Sequence, residues 1–391
     1  MHVTYKNQLI CMPTNHISEF KAIAIDNNIL KGHGYKFNEG VLKQLSQYRD
    51  LPTAILVPEV VHFEARKHIA NEINNAVSKV NAAFRSVSLQ LDISPDVLSQ
   101  AEELLCLPRD PLAQAEAKLE AFYTNIGALQ LKVPEDFDMA YLMNMYFSIE
   151  PPFEDNKNKR KEFPDAVALL NIEKWAEEND GNVLLVSQDK GWNEFCSDKP
   201  RLENVDSLSE ALQRLLPQTT VSDLVRSIHE SQFLAQEHHI IEEVDQAIIK
   251  SCDDIYFNVD ASSEFMFESD EEQLLYSDHS YTENEDGQIN ITIVRIEDST
   301  IVIKLSAVIY VDANATFYFS VKDGIDKDYF QIGSSTEART ENYRTDVLIT
   351  LEGDFTQGTD SLDVADIEIL NPIKHVDFGY ITPDLDRYDY D

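Results

Sequence analysis

Cysteine is scarce in this 391-residue chain, and the four present stand far apart. Cys11, Cys106, Cys196 and Cys252 form no CxxC pair, which fits neither a zinc site nor a disulfide framework and suits a reducing compartment. Long apolar runs are missing as well. None approaches the roughly 18 residues that a membrane span needs. The amino-terminal MHVTYKNQLICMPTN has no basic region followed by an apolar core, so a cytoplasmic protein without membrane contact is expected. No GxxxxGK[ST] phosphate loop occurs, which argues against an NTPase. No EF-hand spacing makes Asp270-Glu271-Glu272 a calcium site. Internal repeats are absent too.

Base is the other shortage. Lysine and arginine number 32 against 70 acids, for a net charge of −38. The imbalance is uneven: residues 241–391 hold 35 acids against 9 bases, or −26, and residues 1–240 the other 35 against 23, or −12. A polyanion is repelled by the second half at long range, although salt screens this beyond about 10 Å. Nucleic-acid contact therefore belongs to the first half. A chain of this length with 43% hydrophobic residues has apolar surface for two or three domains.

What is present begins with Ala22-Ile23-Ala24-Ile25, an uncharged run that ends abruptly in Asp26 and two asparagines. Such runs read as strands buried on both faces of a parallel sheet. Ala54-Ile55-Leu56-Val57 and Val183-Leu184-Leu185-Val186 repeat the pattern. Helices are expected from Asn38 to Asp50, from Glu59 onward, across 94–148 as a wholly helical block, and from Pro164 through Trp175. Alternating short strands and helices over 17–216 indicate an α/β sheet covered on both faces. The first domain is set at 1–218, with a helical insertion at about 86–150. A polar helical connector spans 219–251. An acidic β-rich domain at 252–391 follows, its period-two runs over 289–296, 301–311, 316–321, 347–351 and 364–370 suggesting an antiparallel sandwich or barrel. The final ITPDLDRYDYD reads as a mobile acidic tail.

Four acids stand at comparable places: Asp26 after the first strand, Glu64 in the helix after the second, Asp165 opening a later helix, and Asp189 after Val186. Singly, each is what a turn or helix cap uses. In a parallel sheet all four reach one edge, where like charges raise one another's pKa unless a cation intervenes. Hard divalent ions with oxygen ligands, Mg²⁺ or Mn²⁺, suit such a set and can activate water against a phosphodiester.

The series AIDNNIL, ILVPEVVHFE, FPDAVALL and VLLVSQDKGW resembles the PIN domain of metal-dependent ribonucleases over roughly 17–216. The resemblance implies an α/β fold and endonucleolytic RNA cleavage. It also implies a catalytic, metal-binding set of Asp26, Glu64, Asp165 and Asp189, with Ser187 and Asn28 in support. Arg66, Lys67, Lys157, Lys159, Arg160, Lys161 and Lys190 are the bases available to position a phosphate backbone. Trp192 reads first as packed core and second as a platform for a base. RNA is the expected substrate, with DNA as the other phosphodiester. The second half is assigned to a regulatory protein, to homo-oligomerisation or to restraint of the nuclease, and a toxin or phage-defence role fits a nuclease with an added domain. Two alternatives compete. A haloacid-dehalogenase-like phosphohydrolase needs Asp-x-Asp, and Asn28 replaces its second acid. A catalytically inert PIN-like scaffold or partner-binding protein would keep its acids for folding.

Overall fold

The computed structural model describes residues 19–91, 93–105, 107–155, 162–230, 238–297, 299–322, 329–354 and 361–384. They divide at Pro217–Gln218 into two compact units.

The first unit holds a parallel sheet of β1 (Phe20–Ile25), β2 (Ala54–Pro58), β3 (Leu129–Leu131), β4 (Asn182–Val186) and β5 (Leu202–Val205), in the order β3-β2-β1-β4-β5. Ile23, Leu56, Leu184 and Leu185 are fully buried, because helices cover both faces of the sheet; along β1 only Lys21, near its start, is exposed. From β1 the chain builds outward through β2 and β3, then returns to lay β4 on β1's other side. The order therefore turns between β1 and β4, which is where open α/β sheets place their ligands.

The helices are α1 (Asn27–Gly32), α2 (Gly40–Lys43), α3 (Glu59–Leu91), α4 (Pro95–Leu104), α5 (Pro111–Ile126), α6 (Met139–Ser148), α7 (Phe163–Glu178), α8 (Lys190–Ser197) and α9 (Leu208–Leu215). Asn38–Asp50 is not one helix: α2 is a single turn capped at Glu39, followed by a 3₁₀ segment, Gln44–Tyr48. The block 94–148 is not wholly helical either. Gly127 ends α5 in the left-handed region (φ 66°), and the chain then adds β3 beside β2. A methyl group at Gly127 would lie 3.1 Å from the Arg49 carbonyl oxygen, so the turn needs glycine on two counts. At 33 residues α3 is about 50 Å long. Val61, Ala65, Ile69 and Ala70 bury its first turns, and beyond them its described side chains are exposed or half-buried.

The second unit begins with α10 (Gln218–Glu230) and α11 (His239–Asp253), where a polar connector was expected. One face of α11 buries Ile240, Ile241, Val244, Ile248 and Cys252, and Asp245 accepts a hydrogen bond from Tyr281 Oη at 2.6 Å. α11 is thus part of this unit's core. An antiparallel sheet follows, built on β7 (Met266–Tyr281), β8 (Ile291–Glu297), β9 (Thr300–Lys322), β10 (Tyr329–Gly353) and β11 (Leu362–Ile369), beside a parallel pair of β6 (Asn258–Ser262) and β12 (His375–Tyr380). The runs expected at 301–311 and 316–321 are one 23-residue strand, because Asp312 and Asn314 fall on outward positions while Ala313 and Ala315 stay buried in phase. Within the expected tail, Ile381 is buried and the Asp384 amide donates to the Ser334 carbonyl, while 385–391 lie outside the described residues. Among the described residues, no helix is long and apolar enough to cross a membrane.

Candidate active site

β1 and β4 lie side by side with Ile25 opposite Val186, so the residues after each strand emerge together. Asp26, only 5% exposed, donates its amide to the Val186 carbonyl at 3.0 Å. Ser187 follows β4 and is buried. Its Oγ donates to Asp26 Oδ2 at 2.6 Å and accepts from Asn28 Nδ2 at 3.1 Å and from the Asp189 amide at 3.0 Å. One hydroxyl thus joins two strand ends separated by 161 residues.

Asp189 caps α8. Its Oδ1 accepts the amides of Gly191 at 2.7 Å and Trp192 at 3.4 Å. An added Cβ at Gly191 would lie 2.9 Å from the Pro152 carbonyl oxygen and 3.0 Å from Asp189 Oδ1, so this cap needs glycine for space. Trp192 is packed core, and its indole Nε1–H donates to Asp165 Oδ1 at 3.0 Å. Asp165 sits in the first turn of α7, whose N-terminus reaches the same edge of the sheet. Glu64 is half-buried in the second turn of α3, near enough for its charge and that of Asp165 to interact.

Burial pushes the Asp26 carboxyl up to about 6, and the nearby Asp189 charge adds to this. The Ser187 hydroxyl and the amides of Asn28 and Asn27 pull the other way. Burial likewise raises Asp165 to about 7. The Trp192 indole opposes it, and Asp26, Asp189 and Glu162 reinforce it. Glu64 is raised by burial and by Asp165, with Lys67 offsetting part. Burial is the main cause in all three, and neighbouring carboxylates push the same way.

Does the donor set suit a divalent ion? Among the described residues, no group of three or more His, Cys, Asp or Glu side chains is drawn close enough to hold a metal ion by itself. Yet Asn28 Oδ1 is buried beside Ser187 without a partner, an oxygen facing no donor. A Mg²⁺-like ion keeps several waters and binds through one or two carboxylates. Oxygen donors with strained charge fit that mode, whereas a closed protein cage is not formed.

The bases are less available. Arg66 pairs with Glu116 at 3.0 Å and lies over the Phe63 ring, so it serves α3–α5 packing first. Lys67 is exposed beside Glu64. Lys190 is exposed and pairs with Glu194 at 2.9 Å and Glu154 at 3.9 Å. Lys157, Lys159, Arg160 and Lys161 lie outside the described residues. Sequence reasoning missed Asn204, which lies within the unrecognised strand β5 and donates from Nδ2 to the Ser187 carbonyl at 3.0 Å. It also missed the polar role of Trp192, for which the signal was available: a buried indole N–H seeks an acceptor.

No curated protein and no solved structure matches the chain. A family model described as the PIN domain matches residues 23–192, a span that runs from β1 to Trp192.

Proposed function

Since this is a PIN-domain protein, and PIN domains are generally nucleases, we propose that its first unit is a metal-dependent endoribonuclease. The observation that carries this reading is the chain of contacts from Asp26 through Ser187 to Asp189 and from Trp192 to Asp165, at the switch point of the parallel sheet. Asp26, Glu64, Asp165 and Asp189 would hold Mg²⁺ or Mn²⁺ directly or through its waters. A divalent ion bound there supplies an activated water and neutralises charge developing on a phosphodiester. Ser187 holds Asp26 in one rotamer and Asn28 holds Ser187. Lys67 and Lys190 supply exposed positive charge for the backbone of RNA, or of DNA as the second substrate.

A cytoplasmic toxin or defence effector fits a nuclease joined to a separate acidic unit. We assign that unit to a regulatory partner or a second copy of the chain. A second reading, an inert scaffold that keeps the PIN fold, is favoured by the absence of a closed metal-ligand group among the described residues. Cleavage assays on RNA and DNA with Mg²⁺, Mn²⁺ or chelator, run beside Asp189→Ala, decide between them. Metal-dependent cutting lost in the variant supports the nuclease. Equal residual cutting in both proteins leaves the scaffold.

A further inference from the structure

We infer that Trp192 is a positioning residue for the proposed metal site, fixing the two later acids relative to each other. The inference rests on the nuclease reading above. Trp192 is 0% exposed and packs in the core that includes Phe153, Phe195 and Leu169. A phenylalanine would fill much of that apolar space. The indole adds a single N–H, and it is spent on Asp165 Oδ1 at 3.0 Å. The same residue's amide, with that of Gly191, holds Asp189 Oδ1. One buried residue therefore holds one oxygen of each carboxylate, Asp165 through its indole and Asp189 through its backbone amide. Among the described residues, Oδ2 of Asp165 and Oδ2 of Asp189 take no hydrogen bond, so each acid keeps one oxygen for a cation. A carboxylate pinned at one oxygen by a donor that cannot swing has its other oxygen aimed, which is how groups behind a metal's ligands raise its affinity.

The test uses the full-length protein and Mn²⁺ alone, titrated by calorimetry, with thermal unfolding as the control for folding. Trp192 is replaced by Phe and, separately, by 3-benzothienylalanine, which keeps both rings and puts sulfur in place of N–H. Both proteins are expected to bind Mn²⁺ about 10–100-fold more weakly, the isostere with its unfolding midpoint unchanged. In an Asp165→Ala background the isostere should cause no further loss, since the N–H then has no carboxylate to hold. Wild-type affinity in the isostere, or an effect that persists undiminished without Asp165, overturns the inference while leaving the nuclease reading in place. A wild type that binds no Mn²⁺ overturns both.

Discussion

In the parallel sheet the strands are short, from three residues in β3 to six in β1, and all their carboxyl ends meet one edge. In the antiparallel sheet β9 and β10 run 23 and 25 residues with their ends at opposite edges, and burial alternates along them. The first geometry collects the residues that follow strands; the second spreads its polar residues over a face. Acid serves different ends accordingly. Asp26 is buried and pushed up to about 6, at a place where its charge is unwelcome until countered. Glu268 and Glu272 on β7 lie exposed in water on an edge strand, where charge discourages pairing with other chains. The more acidic half of the chain is thus the one whose acids are read as solvation.

The comparison breaks first at Asp26. Asp26→Asn is expected to lower RNA cleavage on the order of 10³-fold, the scale of a lost metal contribution worth several kcal/mol, with the circular dichroism spectrum unchanged. Retained cleavage would show that burial, not chemistry, explains this acid. In the second sheet the large effect should come from apolar packing instead. Phe317 is fully buried against Phe267 and Phe378, so Phe317→Ala should cost about 3–5 kcal/mol in denaturant unfolding.

The third prediction concerns pH. Folded Asp26 and Asp165 titrate at about 6 and about 7, above the ordinary 3.8, so between about pH 4 and 7 the folded chain holds more protons than the unfolded one. Stability without divalent ion should therefore fall as pH rises through that window. Asp26 accounts for about 3 kcal/mol of this, and Mn²⁺ should restore it at pH 7.5. Thermal unfolding of wild type against Asp26→Asn isolates the effect, and identical pH profiles would refute it. Ser187→Ala should weaken Mn²⁺ binding about 10–100-fold, because Asp26, Asn28 and Asp189 lose their common partner. Smallest of all, Glu268→Gln with Glu272→Gln should leave unfolding within about 0.5 kcal/mol; a larger shift would give β7's acids a role beyond solvation.

Much of the site's scaffold is readable in sequence because buried parallel strands leave an uninterrupted apolar signature, and Ile25-Asp26 and Val186-Ser187-Gln188-Asp189 show where two of them stop. β3 and β5 escape because strands of three and four residues at a sheet's edges, Leu129–Leu131 and Leu202–Val205, are too short for a period and carry Gln130, Glu203 and Asn204. The merging of β9 escapes for another reason: Asp312 and Asn314 are turn formers by type, yet their register puts them outward and leaves pairing intact. The tie between Trp192 and Asp165 spans 27 residues, and no local pattern announces it. Arg66 shows the converse, a base that looks free in sequence and is engaged by Glu116, 50 residues on.

The hydroxyl bridge from Ser187 to Asp26 also bears on biosynthesis. A ribosome releases the first strand long before the fourth, and until β4 has emerged nothing occupies the place beside β1 where Ser187 belongs. Contacts so distant along a chain close late. A truncated product ending before Ser187 would carry Asp26 without the hydroxyl that holds it, so the first acid of the site is set in place only after nearly half of the chain has been made.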